Sequence, residues 1–497
     1  MKGLTGAVGA FKWIVESPPT KALLRRLAAW CEREEKSRLE VALEIIAGVR
    51  RPEDACIRCR MTTGIARMVI KAGAHAFGAS LEEIRERMRD PHWRRALLSV
   101  IRGLEVFGVR RPFVPGAPFL VVWDVTYACN LRCRHCYSSA GQRLPDELTT
   151  QEAKRVIDIL WRAGVVSIAW SGGEPLVRPD IFELSSYAHQ KGIYVAMATN
   201  GTLLDERTVE KLWGSGVRFL QISLDGATPE THDGFRGIPG AWEKTVKGIK
   251  LAVKKGFFVN VATTVTKINY REIPAIIDLV QELGAQWFMA YNLVPTGRGV
   301  FIEQFDLSPE EREELLATLW QKLKSGGEPK VLTTAPQFAR IALQAEGADG
   351  CAGRLVLPTH FYDAELSGRL ESLADFIGGC GAGRFYIGLS PNGDIRPCVF
   401  FPKTLANILE LDERFEEWWR SDEFLWALRD KDSLKEPCGT CEFRYVCGGC
   451  RARAYGYLGD PRAPDPGCVI VERFLQRAPA SVSALRTQAT AGSSWQS

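Results

Sequence analysis

Three cysteines crowd into the segment Cys129-Asn-Leu-Arg-Cys133-Arg-His-Cys136-Tyr137. At spacings of four and three, their thiolates can face one point only from a loop. Such a trio can hold three irons of a cubane and leave the fourth iron's coordination open. The alternative is a structural zinc loop, but such sites are normally closed by a fourth Cys or His. His135 is available, although its place between ligands on a short loop suits a bond to solvent or backbone better.

A second framework lies near the C-terminus: Cys380-x12-Gly393-x4-Cys398, Cys438-x2-Cys441-x5-Cys447-x2-Cys450, then Cys468. Paired C-x2-C units are a zinc signature as well as an iron–sulfur one. Fourteen cysteines are many for a chain whose first residues, MKGLTGAVGAFKW, are interrupted by Lys12 too soon for a secretory signal. In a cytoplasmic setting, which this start predicts, clustered cysteines read as metal ligands before disulfides. Outside these two groups lie Cys351 and the N-terminal trio Cys31, Cys56 and Cys59, one short of a closed site; for the trio, buried inert thiols are the favoured reading and a further metal site the sharper one.

Elements of two kinds must position these residues. From Phe119 onward, apolar strand candidates recur at 119–125, 165–170, 194–199, 217–224, 257–265 and 286–293. Amphipathic helices separate them, one opened by Thr149 with Glu152 at the capping-box spacing. Buried strands alternating with helices predict a parallel α/β domain. Six units are too few for an eight-fold barrel, so an open, partial (β/α)6 barrel is expected over 119–307, with chemistry at the strands' C-terminal ends.

Residues 1–118 read as helical, with apolar positions at Leu23, Leu24, Leu27 and Ala28 and at Leu39, Leu43 and Ile46. Ser80 and Glu83 form another capping pair, and the region ends in a Pro/Gly-rich linker at 111–118. Ser308-Pro309-Glu310-Glu311 opens a helical bridge over 308–350. A Cys-rich domain follows over 351–476, and an Ala/Ser/Thr-rich tail, expected to be disordered, closes the chain at 477–497. Net charge is +5 overall, but residues 1–118 hold 22 Lys and Arg against 13 Asp and Glu. That excess favours an anionic partner there or is a solvated helical surface.

The cysteine loop and the motifs after it resemble the radical S-adenosylmethionine (SAM) superfamily through residues 119–300. The likeness implies one [4Fe–4S] cluster on Cys129, Cys133 and Cys136, which reductively cleaves SAM to a 5′-deoxyadenosyl radical that takes hydrogen from an unactivated C–H bond. Tyr137 is implied to pack by the adenine. Gly172, Gly173, Glu174 and Pro175 look like the motif that binds the methionine amino group. Thr199-Asn200-Gly201 ends the third strand. Ser223 and Asp225 end the fourth, where the ribose is contacted, and Arg236 is implied to meet the SAM carboxylate. Val294, after the sixth strand, lies near where adenine is held.

The C-terminal framework resembles the SPASM domain, although the spacing before Cys450 is one residue shorter than in its commonest form. The likeness implies two auxiliary [4Fe–4S] clusters, for three in all. Cys438, Cys441, Cys447 and Cys468 would hold one. Cys380, Cys398 and Cys450 would hold three sites of the other, with Cys351 the candidate fourth ligand. Residues 447–468 are similar to the end of the radical SAM enzymes of alternative haem and haem d1 synthesis.

These likenesses leave the substrate open. A leader-binding module for peptides needs a three-stranded sheet that residues 1–118 do not suggest. A lipophilic small molecule with anionic groups, a tetrapyrrole or an isoprenoid membrane lipid, is therefore expected, with peptide maturation second. An electron donor such as ferredoxin or flavodoxin is implied, peripheral contact with an anionic membrane fits the basic region, and no nucleic acid is expected. A non-enzymatic iron–sulfur or zinc scaffold on nucleic acid would leave the strand-end motifs without purpose.

Overall fold

The computed structural model describes residues 12–13, 15–76, 80–349 and 374–477. Cys351 and the tail beyond residue 477 lie outside the described residues. The N-terminal region packs the helices Pro18–Ala28, Arg38–Ile46, Ile57–Ala76, Leu81–Arg87 and Pro91–Phe107. Leu24, Leu27, Leu39, Leu43, Ile46 and Leu98 build its core. Besides the expected helices there is a two-residue antiparallel ribbon, β1 (Trp30–Cys31) with β2 (Lys36–Ser37).

Among the described residues the main sheet has ten strands. β3 (Leu120–Thr126), β4 (Ser167–Gly172), β5 (Tyr194–Thr199), β6 (Val217–Ser223), β7 (Phe258–Val265) and β8 (Trp287–Asn292) are the six expected units, all parallel. Two parallel strands extend this set. β9 (Lys330–Thr333), inside the expected helical bridge, pairs with β8, and β10 (Tyr386–Leu389), from the Cys-rich region, pairs with β3. β11 (Asp394–Arg396) and β12 (Ala406–Asn407) continue antiparallel beyond β10, and the edge strands β9 and β12 do not meet. The barrel is open, as expected, and among the described residues two further parallel strands flank the expected six. The Cys-rich region contributes β10, β11 and β12 to the same sheet as the barrel strands.

Helices cover the outside of the sheet. All three capping boxes read from the sequence form, at Ser80, Thr149 and Ser308. The helix Pro91–Phe107 lies across the strands' N-terminal ends. Its Arg95 donates to the carbonyls of Val165 (3.0 Å) and Trp161 (2.7 Å), and Arg102 donates to Ala163 (3.1 Å). These arginines satisfy carbonyls at and just past the end of the helix Thr150–Ala163, so part of the basic excess is structural. The 111–118 segment is packed in place as well: Trp419 Nε1 donates to the Pro115 carbonyl (3.0 Å), and Val114 and Ala117 are buried.

Candidate active site and auxiliary metal centres

Because β3 to β8 run parallel, their C-terminal ends form one rim, and the three-cysteine loop leaves β3 there. The loop is held by its backbone from two sides. Arg132 and Arg134 N–H groups donate to the carbonyls of Arg236 and Phe235 (both 3.0 Å), at the end of the helix Pro229–Arg236. From the opposite side, Arg298 Nε donates to the Cys133 carbonyl (2.8 Å) and Nη1 to Ala140 (2.7 Å). Nothing local in the sequence marks Arg298 for this stapling role.

Cys129, Cys133 and Cys136 line one cavity of about 150 Å³ with Tyr137, Gly172, Gly173, Thr199, Asn200, Ser223, Arg236 and Val294. The donor set suits a thiolate-bound cluster. The N–H groups of Leu131 and Ala140 reach the sulfurs of Cys129 and Cys136 at 3.4 Å, and Arg236 Nη1 reaches Cys133 Sγ at 3.6 Å. Burial pushes the free Cys129 thiol up to about 11 and raises that of Cys133. A bound metal offsets that cost by taking the thiolate form. The cradle is tight: a Cβ on Gly173 would lie 2.1 Å from the Ala128 carbonyl oxygen, and one on Gly172 2.4 Å from that of Thr126.

Three residues expected at SAM stand behind this wall instead. Glu174 is fully buried, and its carboxylate accepts from Thr199 Oγ1 (2.8 Å), the Asn200 N–H (2.8 Å) and the Leu176 N–H (3.1 Å). With its oxygens engaged by the protein, it ties the end of β4 to the end of β5; burial lifts its carboxyl to about 7. Pro175 is buried and starts the turn that Glu174 caps. Asp225 is fully buried and forms an ion pair with Arg236 (2.7 Å), while His135 Nε2 faces the same oxygen at 3.3 Å. Burial opposes Asp225 ionisation, but Arg236 and two imidazoles outweigh it and keep the carboxyl below its ordinary value. Arg236 does line the cavity, and its Nε is buried without a partner among the described residues. Among the described residues His135 makes no hydrogen bond to backbone. Its ring stacks on Phe235 (4.4 Å), and burial holds it neutral, at about 4.

Glu174→Gln should therefore act by misplacing its neighbours. An amide puts its NH2 where three donors converge and leaves at least one of them unmet, at about 1.5–3 kcal/mol for bonds to a charged group. SAM affinity should fall about tenfold or more with iron content unchanged, read by equilibrium binding on reconstituted protein.

A larger cavity of about 630 Å³ runs inside the sheet. Leu120, Val122, Ala169, Phe219, Trp287 and Met289 line it from alternate strand positions. His92 and Trp93 line one end, and Cys380, Cys398 and Cys450 line it from the Cys-rich region. Among the described residues, none of those lining it is Asp, Glu, Lys or Arg. Tyr137, Tyr291 and Phe400 border both cavities, with Tyr137 and Phe400 edge to face at 5.0 Å. Tyr137 is pinned by its hydroxyl to Asp124 Oδ1 and Ser171 Oγ, both at 2.9 Å.

Cys438, Cys441, Cys447 and Cys468 gather around a separate small cavity, beside Arg340. Buried cations near the C-terminal thiols suit net-negative clusters. Lys431 is buried near Cys380 and Cys447, and its Nζ has no hydrogen-bond partner among the described residues. Asp465, which the sequence did not single out, accepts from the Cys450 N–H (2.8 Å), Gln337 (2.8 Å), Arg453 (3.2 Å) and the Gly467 N–H (3.0 Å). It thereby locks the segment between Cys450 and Cys468.

Comparison with known proteins agrees with this geometry. Residues 123–280 match the radical SAM superfamily and residues 380–442 an iron–sulfur cluster-binding (SPASM) domain. An AdoMet-dependent heme synthase of Methanosarcina barkeri is 41% identical over 354 residues, covering 71% of this chain and 97% of that protein. The mycofactocin maturase MftC of Mycobacterium tuberculosis is 34% identical over 358 residues, covering 71% and 83%. The crystal structure of Streptococcus suis SuiB bound to precursor peptide SuiA superposes with a TM-score of 0.58 at 18% identity, covering 82% of this chain and 88% of that one. The chain therefore belongs to the radical SAM superfamily, as an enzyme whose barrel is joined to a SPASM iron–sulfur domain.

Proposed function

We propose that the enzyme abstracts hydrogen from an unactivated C–H bond of a lipophilic small molecule held in the large cavity. The observation that carries this reading is the cavity's lining. A space of about 630 Å³ with aromatic and aliphatic walls and no charged side chain among the described residues suits an apolar body. Acidic groups on the substrate would be costly to bury there and belong at an opening.

Cys129, Cys133 and Cys136 would hold the SAM-binding cluster, which when bound supplies the electron that cleaves SAM and yields the radical. The chain's own contribution is positional. Gly172 and Gly173 admit close approach, Arg236 offers a charge and a free Nε–H, and Tyr137, Tyr291 and Phe400 separate the reacting end from the substrate space. Cys438, Cys441, Cys447 and Cys468 would hold one auxiliary cluster. Cys380, Cys398 and Cys450 would hold another, facing the substrate, with Cys351 as its candidate fourth ligand.

The names of the relatives favour a tetrapyrrole, since the most similar one reported above is a heme synthase. A membrane isoprenoid is the second reading, favoured by the N-terminal region. The helix Ile57–Ala76 contains no acidic residue and exposes Ile57, Met61 and Met68 among the exposed Arg58, Arg60, Arg67 and Lys71. An apolar stripe flanked by cations suits an anionic lipid surface. No helix among the described residues is long and apolar enough to cross a membrane.

Anaerobic incubation of the reduced enzyme and SAM with iron coproporphyrin, with a lipid extract, or with a peptide pool tests the proposal. A mass change in one of the first two, matched by 5′-deoxyadenosine, is the expected result. Change confined to the peptides overturns it. For the membrane contact, binding to anionic liposomes should fall with salt, each cation near the surface being worth about 1 kcal/mol. Changing Arg58, Arg60, Arg67 and Lys71 to Gln should abolish sedimentation with the vesicles. This is a cleaner test than truncation, because the 111–118 segment is packed into the fold.

A further inference from the structure

We infer that Cys31, Cys56 and Cys59 form a mononuclear site for a thiophilic divalent cation of the zinc class, binding the β1–β2 ribbon to the helix Ile57–Ala76. Their three sulfurs all lie within 4.8 Å of one another, and Cys31 Sγ is 3.7 Å from Cys56 Sγ. Zinc–thiolate bonds of about 2.3 Å at the tetrahedral angle put two sulfurs about 3.8 Å apart. A disulfide needs about 2.05 Å, and all three cysteines are free. A cubane binds each thiolate through a different iron and so holds its sulfurs farther apart. Among the described residues, no other group of three or more Cys, His, Asp or Glu draws its donor atoms this close, the cluster-loop and C-terminal cysteines included. The chain thus contains two kinds of cysteine group, spread sets suited to cubanes and one compact set suited to a single ion.

The surroundings are those of a built site. Cys31 ends β1, Cys56 directly precedes the helix, and Cys59 is in its first turn, so three ligands come from two separate elements. The Cys59 N–H points at Cys56 Sγ at 3.4 Å, and a helix start favours thiolate. Cys59 is fully buried against Val41, Ile45 and Ala55, whereas Cys31 and Cys56 are half-buried. Glu34 is not free to close the site. Its Oε1 accepts the Cys56 N–H at 2.8 Å, fixing the loop that presents Cys56, and its Oε2 accepts from Arg50 at 2.6 Å. The proposed site is three thiolates with water as the fourth ligand. Each thiol that ligates gives its proton to solvent, and nothing is oxidised or reduced. The ion would fix a ribbon of two-residue strands that is too short to be stable alone. The inference does not rest on the substrate proposed above.

The test uses the full-length protein, purified anaerobically, reconstituted with iron and sulfide, then given zinc and desalted. About one zinc per chain should remain, with X-ray absorption showing about three sulfurs near 2.3 Å. The Cys31→Ser/Cys56→Ser/Cys59→Ser variant should lose that zinc and keep its iron and its SAM cleavage. In the wild type, zinc should protect Cys31 and Cys56 from iodoacetamide, and a chelator should restore their labelling. This mapping decides the matter even where the triple variant fails to fold. Equal zinc in both proteins, labelling indifferent to zinc, or loss of about four irons in the variant would each overturn the inference.

Discussion

Replacing Cys129, Cys133 and Cys136 together by Ala should remove about four irons and abolish SAM cleavage entirely. The fold should survive, because the loop is held by backbone bonds from Arg132 and Arg134 and by Arg298, none of which needs a sulfur. Iron analysis and measurement of 5′-deoxyadenosine under strong reductant read the outcome. SAM cleavage that persists in this variant would move the reactive cluster elsewhere.

A different loss is expected from Cys380, Cys398 and Cys450. These thiols line the large cavity, while the cavity at the three-cysteine loop is bounded by other residues. Changing all three to Ala should leave uncoupled SAM cleavage intact and lower product formation by at least about a hundredfold, the scale of a misplaced or unserviced substrate. Equal loss of both activities would indicate that the SPASM region is needed to assemble the barrel. That alternative has a structural basis, since β10 pairs directly with β3. Circular dichroism of the variant separates the two cases.

Much of this architecture was legible in the chain. The six apolar runs became β3 to β8 within one or two residues of their expected ends, because a strand buried between barrel and helices tolerates little but apolar residues. β9 and β10 were not legible. Lys330–Thr333 and Tyr386–Leu389 are four-residue runs, too short for a period to show, and they are strands only because β8 and β3 offer open edges.

At the site, residue type and spacing located the loop, the glycine pair and the strand ends. They could not show direction. Glu174 and Asp225 look like ligand-facing acids in the sequence, yet Glu174 accepts protein donors and Asp225 pairs with Arg236. Long-range partners such as Arg298 and the Cys133 carbonyl, 165 residues apart, leave no local signature. The same holds for Cys31 beside Cys56: the spacing within Cys56-Ile-Arg-Cys59 is visible, but the ribbon that brings Cys31 to it is set by tertiary contacts.

Isotope transfer tests the proposed hydrogen abstraction from a lipophilic small molecule most directly. Reduced enzyme and unlabelled SAM would be incubated with tetrapyrrole, lipid and peptide fractions from cells grown in deuterated medium. The 5′-deoxyadenosine formed is then examined by mass spectrometry. A single deuterium is expected in that product with the tetrapyrrole or lipid fraction and none with the peptides. Deuterium arriving only from the peptide fraction, or unlabelled 5′-deoxyadenosine from all three, would contradict it.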